Sequence, residues 1–243
     1  AYRFYRDVLG LPLVKEAAVP SQGVRAALLA AGDSEIELLE PTDSSTGVAR
    51  FLAKRGEGLH HVCFETPDVG AMLAALAAQR VELLDTVPRE GLAGRIAFLH
   101  PRACSGVLVE LATPPAAVGE GEGEGAALRL KRLVIGAADP QHTAAVFQSL
   151  FGFSEVSMNG RPRAMLAVGS GALLVVPAGE AGGTEGMVAL SLVADDFDAL
   201  TAALDRAGTR LLKGTGEVTV EPASSHGVHL HISRYESDRG ERS

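Results

Sequence analysis

Three short strings place ionisable side chains inside apolar runs: Ile36-Glu37-Leu38-Leu39-Glu40-Pro41, Gly58-Leu59-His60-His61-Val62 and Gly106-Val107-Leu108-Val109-Glu110-Leu111. Each run has the composition of a buried strand, where a carboxylate or imidazole is costly unless something compensates it. Two carboxylates and an imidazole that converge repel one another or stay protonated unless a divalent cation holds them. Strand alternation puts His61 and Cys63 on one face, and Glu110 on the face of Leu108, so a curved sheet could point Glu37, His61 and Glu110 into one concavity. Such a set is of mixed hardness and suits cobalt, manganese, nickel, iron or zinc, and magnesium less well. Alternatives stay open at this level. His61 could be a core histidine bonded to backbone, and Glu37 could face water with Glu40 the buried one. An acid inside Val-Leu-Val-Glu-Leu is harder to explain by packing alone.

The elements that must position these residues fall into a repeating order. Pro114-Pro115 followed by alternating Gly and Glu from Gly119 to Gly125 has no apolar face to bury and reads as a linker. It divides the chain into residues 1–113 and 128–236, joined by 114–127, with a frayed tail at 237–243. In the first part, a helix over 2–9 leads to strands near 13–17, 24–30 and 35–40. A strand over 59–65 then leads to a helix over 68–80, with Asp68 as N-cap, and to strands near 81–86, 95–99 and 106–112. The second part echoes this plan. Phe147–Phe153 matches Tyr5–Leu11, Asp196–Leu204 matches Asp68–Leu76, and Gly227–His231 matches Gly106–Glu110. The fold class is therefore α+β, built from four βαβββ units in two pairs, the first lacking its opening strand. The chain starts without Met, inside an amphipathic helix, which points to sequence upstream.

Bulk properties narrow the function classes. A net charge of −8 with no run of Lys or Arg argues against a nucleic-acid or anionic-membrane surface. No apolar stretch is long enough to span a membrane, and the first residues do not resemble a signal peptide. Only Cys63 and Cys104 occur, which fits a reducing cytoplasm better than a disulfide framework.

Four βαβββ units in two pairs resemble the vicinal oxygen chelate superfamily of glyoxalases, bleomycin-resistance proteins and extradiol dioxygenases. Within it, residues 2–113 resemble methylmalonyl-CoA epimerases. The matching strings are Phe4–Leu11, Gln22-Gly23-Val24, Ile36–Pro41, Phe51–His61, and Ala97–Pro101 running to Gly106–Leu111. Residues 128–236 resemble the superfamily only.

That likeness implies a metal-dependent epimerase of a 2-substituted malonyl-CoA thioester working through a metal-stabilised enolate. It places metal ligands at Glu37, His61 and Glu110, with a fourth ligand, a His, upstream of Ala1. Glu110 is the candidate for a ligand that also serves as base. Some family members carry a proton-shuttling Glu on the strand where this chain reads Val24-Arg25-Ala26-Ala27-Leu28, so the second base is unidentified. The ligand positions of the second half hold Arg132, Leu173, Ala189 and His231, which is not a matched set. That half is expected to supply packing surface, replace a dimer partner or close over an acyl-CoA substrate. The remaining candidates read as structural: His60 as support for its neighbour, His100 as a turn residue, Cys63 as core, and His226, His229 and His231 as no metal cluster. Lys54-Arg55 and Arg95 suit either coenzyme A phosphates or a solvated face. Other readings are another enzyme of the superfamily, such as a glyoxalase-like lyase or isomerase, and a metal-free small-molecule binding or resistance protein.

Overall fold

A computed structural model describes residues 1–115, 127–156 and 163–235. Most of the Gly/Glu linker and the tail lie outside the described residues. The chain opens on a helical segment, Arg3–Val8, in which Leu9 N donates to the Phe4 carbonyl five residues back. Three antiparallel strands follow: β1 (Leu13–Val19), β2 (Val24–Ala31) and β3 (Ser34–Pro41), in the order β1-β2-β3.

Helix α1 (Gly47–Arg55) comes next, in addition to the elements expected from the sequence. Its signals were present, since Thr46 caps it by accepting from Ala49 N, and Gly56 ends it at φ +74°. The second unit comprises β4 (Val62–Glu65), α2 (Val69–Ala78), β5 (Arg89–Gly91), β6 (Gly94–Leu99) and β7 (Val109–Thr113). Its strands lie in the order β4-β7-β6-β5. Asp68 caps α2 through Gly70 N and Ala71 N, as its sequence suggests.

The strand expected over 81–86 reduces to one bridge between Leu83 and Leu99. Asp85 accounts for this. Its carboxylate accepts from Phe98 N at 2.9 Å, and Leu84 N and Asp85 N both turn to the Phe98 carbonyl, so side chain and turn replace a ladder.

The second half forms one eight-stranded sheet. It contains β8 (Leu128–Ala137), β9 (Ser154–Glu155), β10 (Ala164–Val168), β11 (Gly171–Pro177), β12 (Gly186–Ala194), β13 (Leu211–Gly214), β14 (Glu217–Val220) and β15 (His229–Arg234). Helices α3 (Pro140–Phe151) and α4 (Phe197–Arg206) follow β8 and β12. The order is β13-β14-β15-β12-β8-β11-β10-β9.

In three units the opening strand pairs in parallel with the closing strand: β4 with β7, β8 with β11, and β12 with β15. This is the βαβββ topology expected, in a mixed α+β fold. The main apolar core runs through both halves, from Phe4, Tyr5, Leu76 and Leu111 to Phe147, Leu192 and Ile232. Phe64 of β4 packs against Phe147, Phe151 and Phe153 at ring separations of 6.4, 5.2 and 5.0 Å. Among the described residues no helix is long and apolar enough to cross a membrane.

Candidate metal centre

Glu37 projects from β3, His61 from the residue just before β4, and Glu110 from β7. Pairing of Cys63 with Glu110, and of Glu110 with Phe98, fixes which face each side chain takes. Phe64, Leu111, Ala97 and Leu99 turn into the common core. Glu110 shares the other face with the small buried cluster of Ile96, Phe98 and Ala112. On the neighbouring sheet, Leu28 pairs with Glu37, and Leu28 packs with Val24, Ala26, Val48 and Leu92. Two apolar patches therefore flank one polar triad.

Within the triad, His61 Nε2 lies 2.7 Å from Glu110 Oε2 and 3.3 Å from Glu37 Oε2. One donor atom from each of the three residues lies within 4.8 Å of the others. A divalent ion with bonds of about 2.1 Å needs donors roughly 3–4 Å apart, so small side-chain adjustments suffice. Burial by itself lowers the His61 pKa. Hydrogen bonds to Glu110 and then Glu37, with their negative charges, override it and raise the value to about 9. Without metal the site thus stores an imidazolium between two carboxylates, and their excess negative charge favours a cation. The donor set fits a divalent metal.

Glu40, the alternative to Glu37, is exposed and pairs across the sheet with Arg25. His60 lies against His61 with the two Nδ1 atoms 3.1 Å apart, and its ring meets Phe51 edge-on at 5.0 Å. Burial and then the neighbouring His61 push the His60 pKa down to about 4, so it stays neutral and can accept a hydrogen bond from His61 Nδ1. That bond leaves His61 Nε2 for the carboxylates and a metal. Cys63 is exposed on the site face and is not a core residue, because alternation aims it away from Phe64. Ala26 is buried in the apolar patch and offers no carboxylate. His100 Nδ1 accepts from Arg102 N and closes a turn. Lys54, Arg55 and Arg95 are exposed.

The second half carries a different set. Helix N-caps Asp68, Asp139 and Asp196 provide a common register, in which Arg132 and Ala189 correspond to His61. Counting from the two-residue turns after Ala31 and Val168 makes Leu174 the counterpart of Glu37. Leu173, the position expected from sequence, faces the core, because a one-residue slip reverses the side of a strand. His231 pairs with Ser191 as Glu110 pairs with Cys63, and its ring contacts Thr219 and Glu217.

The segment that delivers His61 is fastened by the second half. Gly227 packs so tightly on the Glu57-Gly58 peptide that a Cβ there would overlap the Glu57 carbonyl. Beside it, Tyr5 donates to the Ser225 carbonyl at 3.1 Å, and His226 Nδ1 lies 2.9 Å from Glu57 Oε1. Sequence reasoning missed this seam, since nothing local ties residues 57 and 227.

Comparison with known proteins agrees with the sheet topology. Residues 1–98 match the profile of the glyoxalase/bleomycin resistance protein/dioxygenase superfamily. Over 115 residues the chain is 44% identical to the uncharacterized protein YqjC of Bacillus subtilis, covering 47% of this chain and 82% of that one. Over 113 residues it is 37% identical to mitochondrial methylmalonyl-CoA epimerase of Mus musculus, covering 46% of this chain and only 64% of that enzyme. A variant of 4-hydroxymandelate synthase from Streptomyces coelicolor superposes over 98% of this chain and 89% of its own, with a TM-score of 0.67 and 16% identity. The epimerase likeness is thus confined to the first half, while the fold is shared along the whole chain.

Proposed function

This chain belongs to the glyoxalase/bleomycin resistance protein/dioxygenase superfamily, and from that premise we propose that it is a metal-dependent epimerase of a 2-substituted malonyl-CoA thioester. The observation that carries the reading is the convergence of Glu37, His61 and Glu110, in the half of the chain that resembles epimerases. These three residues would hold the metal. We assign that role to residues 1–113, with 128–236 as a copy lacking the ligand set, and we place the protein in the cytoplasm, where Cys63 and Cys104 stay reduced.

A divalent cation held there supplies Lewis-acid stabilisation of the negative charge that builds on the thioester oxygen as the C2 proton leaves. With one Glu110 carboxylate oxygen held as a ligand, the other would be the atom to take that proton. His60 fixes the His61 ring through Nδ1 and so aims Nε2 at the site. Ile96, Phe98 and Ala112 form a dry floor that keeps water from competing for the proton. Inversion at one carbon needs a second proton-transfer group on the opposite face of C2, and Ala26 does not provide it.

The test is solvent exchange. The chain is supplied with Co²⁺ and methylmalonyl-CoA in D₂O, and deuterium at C2 is followed by NMR. Incorporation that Glu110→Gln abolishes supports the reading. Exchange no faster than the uncatalysed background overturns it for this substrate.

A further inference from the structure

Away from the metal candidates, the seam between the two halves holds an open cleft of about 360 Å³. Arg3, Phe4 and Val8 line it from the opening helical segment, and Thr209, Ser224 and His226 from the second half. None of Glu37, His61 or Glu110 reaches it. A concave site with an apolar wall and a few convergent polar groups is the usual form of a small-molecule pocket.

The polar groups all suit an anion. The Arg3 guanidinium has no ion-pair partner among the described residues, because Asp7, the nearest acid on its own segment, is bonded to Arg6 at 2.6 Å. His226 is held at φ +57°, a conformation that few residues other than glycine adopt. Glu57 engages its Nδ1 at 2.9 Å, while Nε2 has no partner among the described residues. To donate from Nε2 to an anion while Nδ1 serves Glu57, the ring must carry both protons. Ser224 Oγ already accepts from Arg210 N at 3.1 Å, so its proton is free to donate. The Thr209 hydroxyl is likewise without a side-chain partner among the described residues, and no carboxylate lines the cleft. Phe4 and Val8 supply the wall against which the body of a ligand rests.

We propose that this seam cleft is a binding site for a phosphate group, held by Arg3, His226, Thr209 and Ser224 against an apolar wall. Four residues from three segments match the several oxygens of a tetrahedral anion better than the two of a planar carboxylate. The phosphate comes either from a free phosphate ester or from the phosphates of coenzyme A. Because the donors come from both halves, the site exists only where the two are joined. It stands independently of the metal reading.

Isothermal titration of the full chain, freed of metal by EDTA, tests this with inorganic phosphate, glycerol phosphate and coenzyme A as probes. Histidine ring NMR signals are followed in parallel. The expected result is saturable one-site binding that shifts the His226 ring and weakens at least tenfold in Arg3→Ala and in His226→Asn. The Asn variant tolerates the positive φ and so keeps the turn. Tighter binding of coenzyme A with the same sensitivity assigns the phosphate to the cofactor-bearing substrate. Binding of glycerol phosphate without coenzyme A assigns it to a free ester. No saturable binding of any probe, or binding that survives both substitutions, overturns the proposal. Since metal is absent throughout, failure here leaves the metal centre untouched, and failure there leaves this site untouched.

Discussion

His61 Nε2 reaches Glu110 Oε2 at 2.7 Å, with both side chains almost sealed from solvent. A buried ion pair of this kind is a poor source of stability, because desolvation offsets much of the attraction. In the proposed metal site its value would lie in holding donors together for an ion. As the His61 pKa is raised to about 9, a metal that binds between pH 7 and 8 must displace its proton. Calorimetry in buffers of different ionisation enthalpy should therefore show about one proton released per Co²⁺ bound. Heat that is independent of the buffer would remove His61 from the ligand set.

The two adjacent histidines act in opposite directions on the stability of the metal-free chain. His61 binds its proton more tightly folded than unfolded, so its contribution is complete below about pH 6.5 and is lost as pH rises towards 9. His60, lowered to about 4, stays neutral when folded, so its contribution is lost as pH falls from about 6.5 towards 4. Urea unfolding across this range should give a maximum near pH 6.5. His61→Gln should flatten the alkaline limb and leave the acid limb in place. An alkaline limb that persists in that variant contradicts the assignment.

Gly227→Ala should be disproportionately harmful for a single methyl group. The residue sits at φ +79°, and the added carbon meets the Glu57 backbone, which cannot swing aside as a side chain can. A loss of about 2–4 kcal/mol is expected, against about 1 kcal/mol for Tyr5→Phe, which only deletes the bond to Ser225. Displacement of the Glu57-Gly58 peptide should also weaken Co²⁺ binding in the alanine variant. Unchanged metal affinity would mean that the seam does not position His61.

Phe64→Ala should lower stability by about 3–5 kcal/mol, since it empties the aromatic cluster shared with Phe147, Phe151 and Phe153. The main apolar core is shared by both halves, so calorimetry should show a single transition moving to lower temperature. Two separate transitions, only one of them shifted, would show that the halves unfold independently.

Much of the fold was legible because repetition is a local signal read many times. Asp68 and Asp196 precede helices of the same apolar pattern, and the strands between them alternate as strands must. Boundaries were less legible where side chains substitute for backbone. Asp85 dissolves an expected strand by taking the Phe98 N–H, and a one-residue slip separates Leu174 from Leu173. Cys63 was misplaced in the core because its residue type outweighed the alternation that puts it beside the site.

The sequence by itself determined the superfamily topology and singled out Glu37, His61 and Glu110 as candidate donors. These follow from local spacing and from residues that are out of place in apolar runs. Only the tertiary structure decided between Glu37 and Glu40, turned His60 into the support of His61, and set Gly227 against Glu57. Those relationships join residues up to 170 positions apart (57 to 227), and contacts of that range are fixed by how sheets and core close, not by any local pattern.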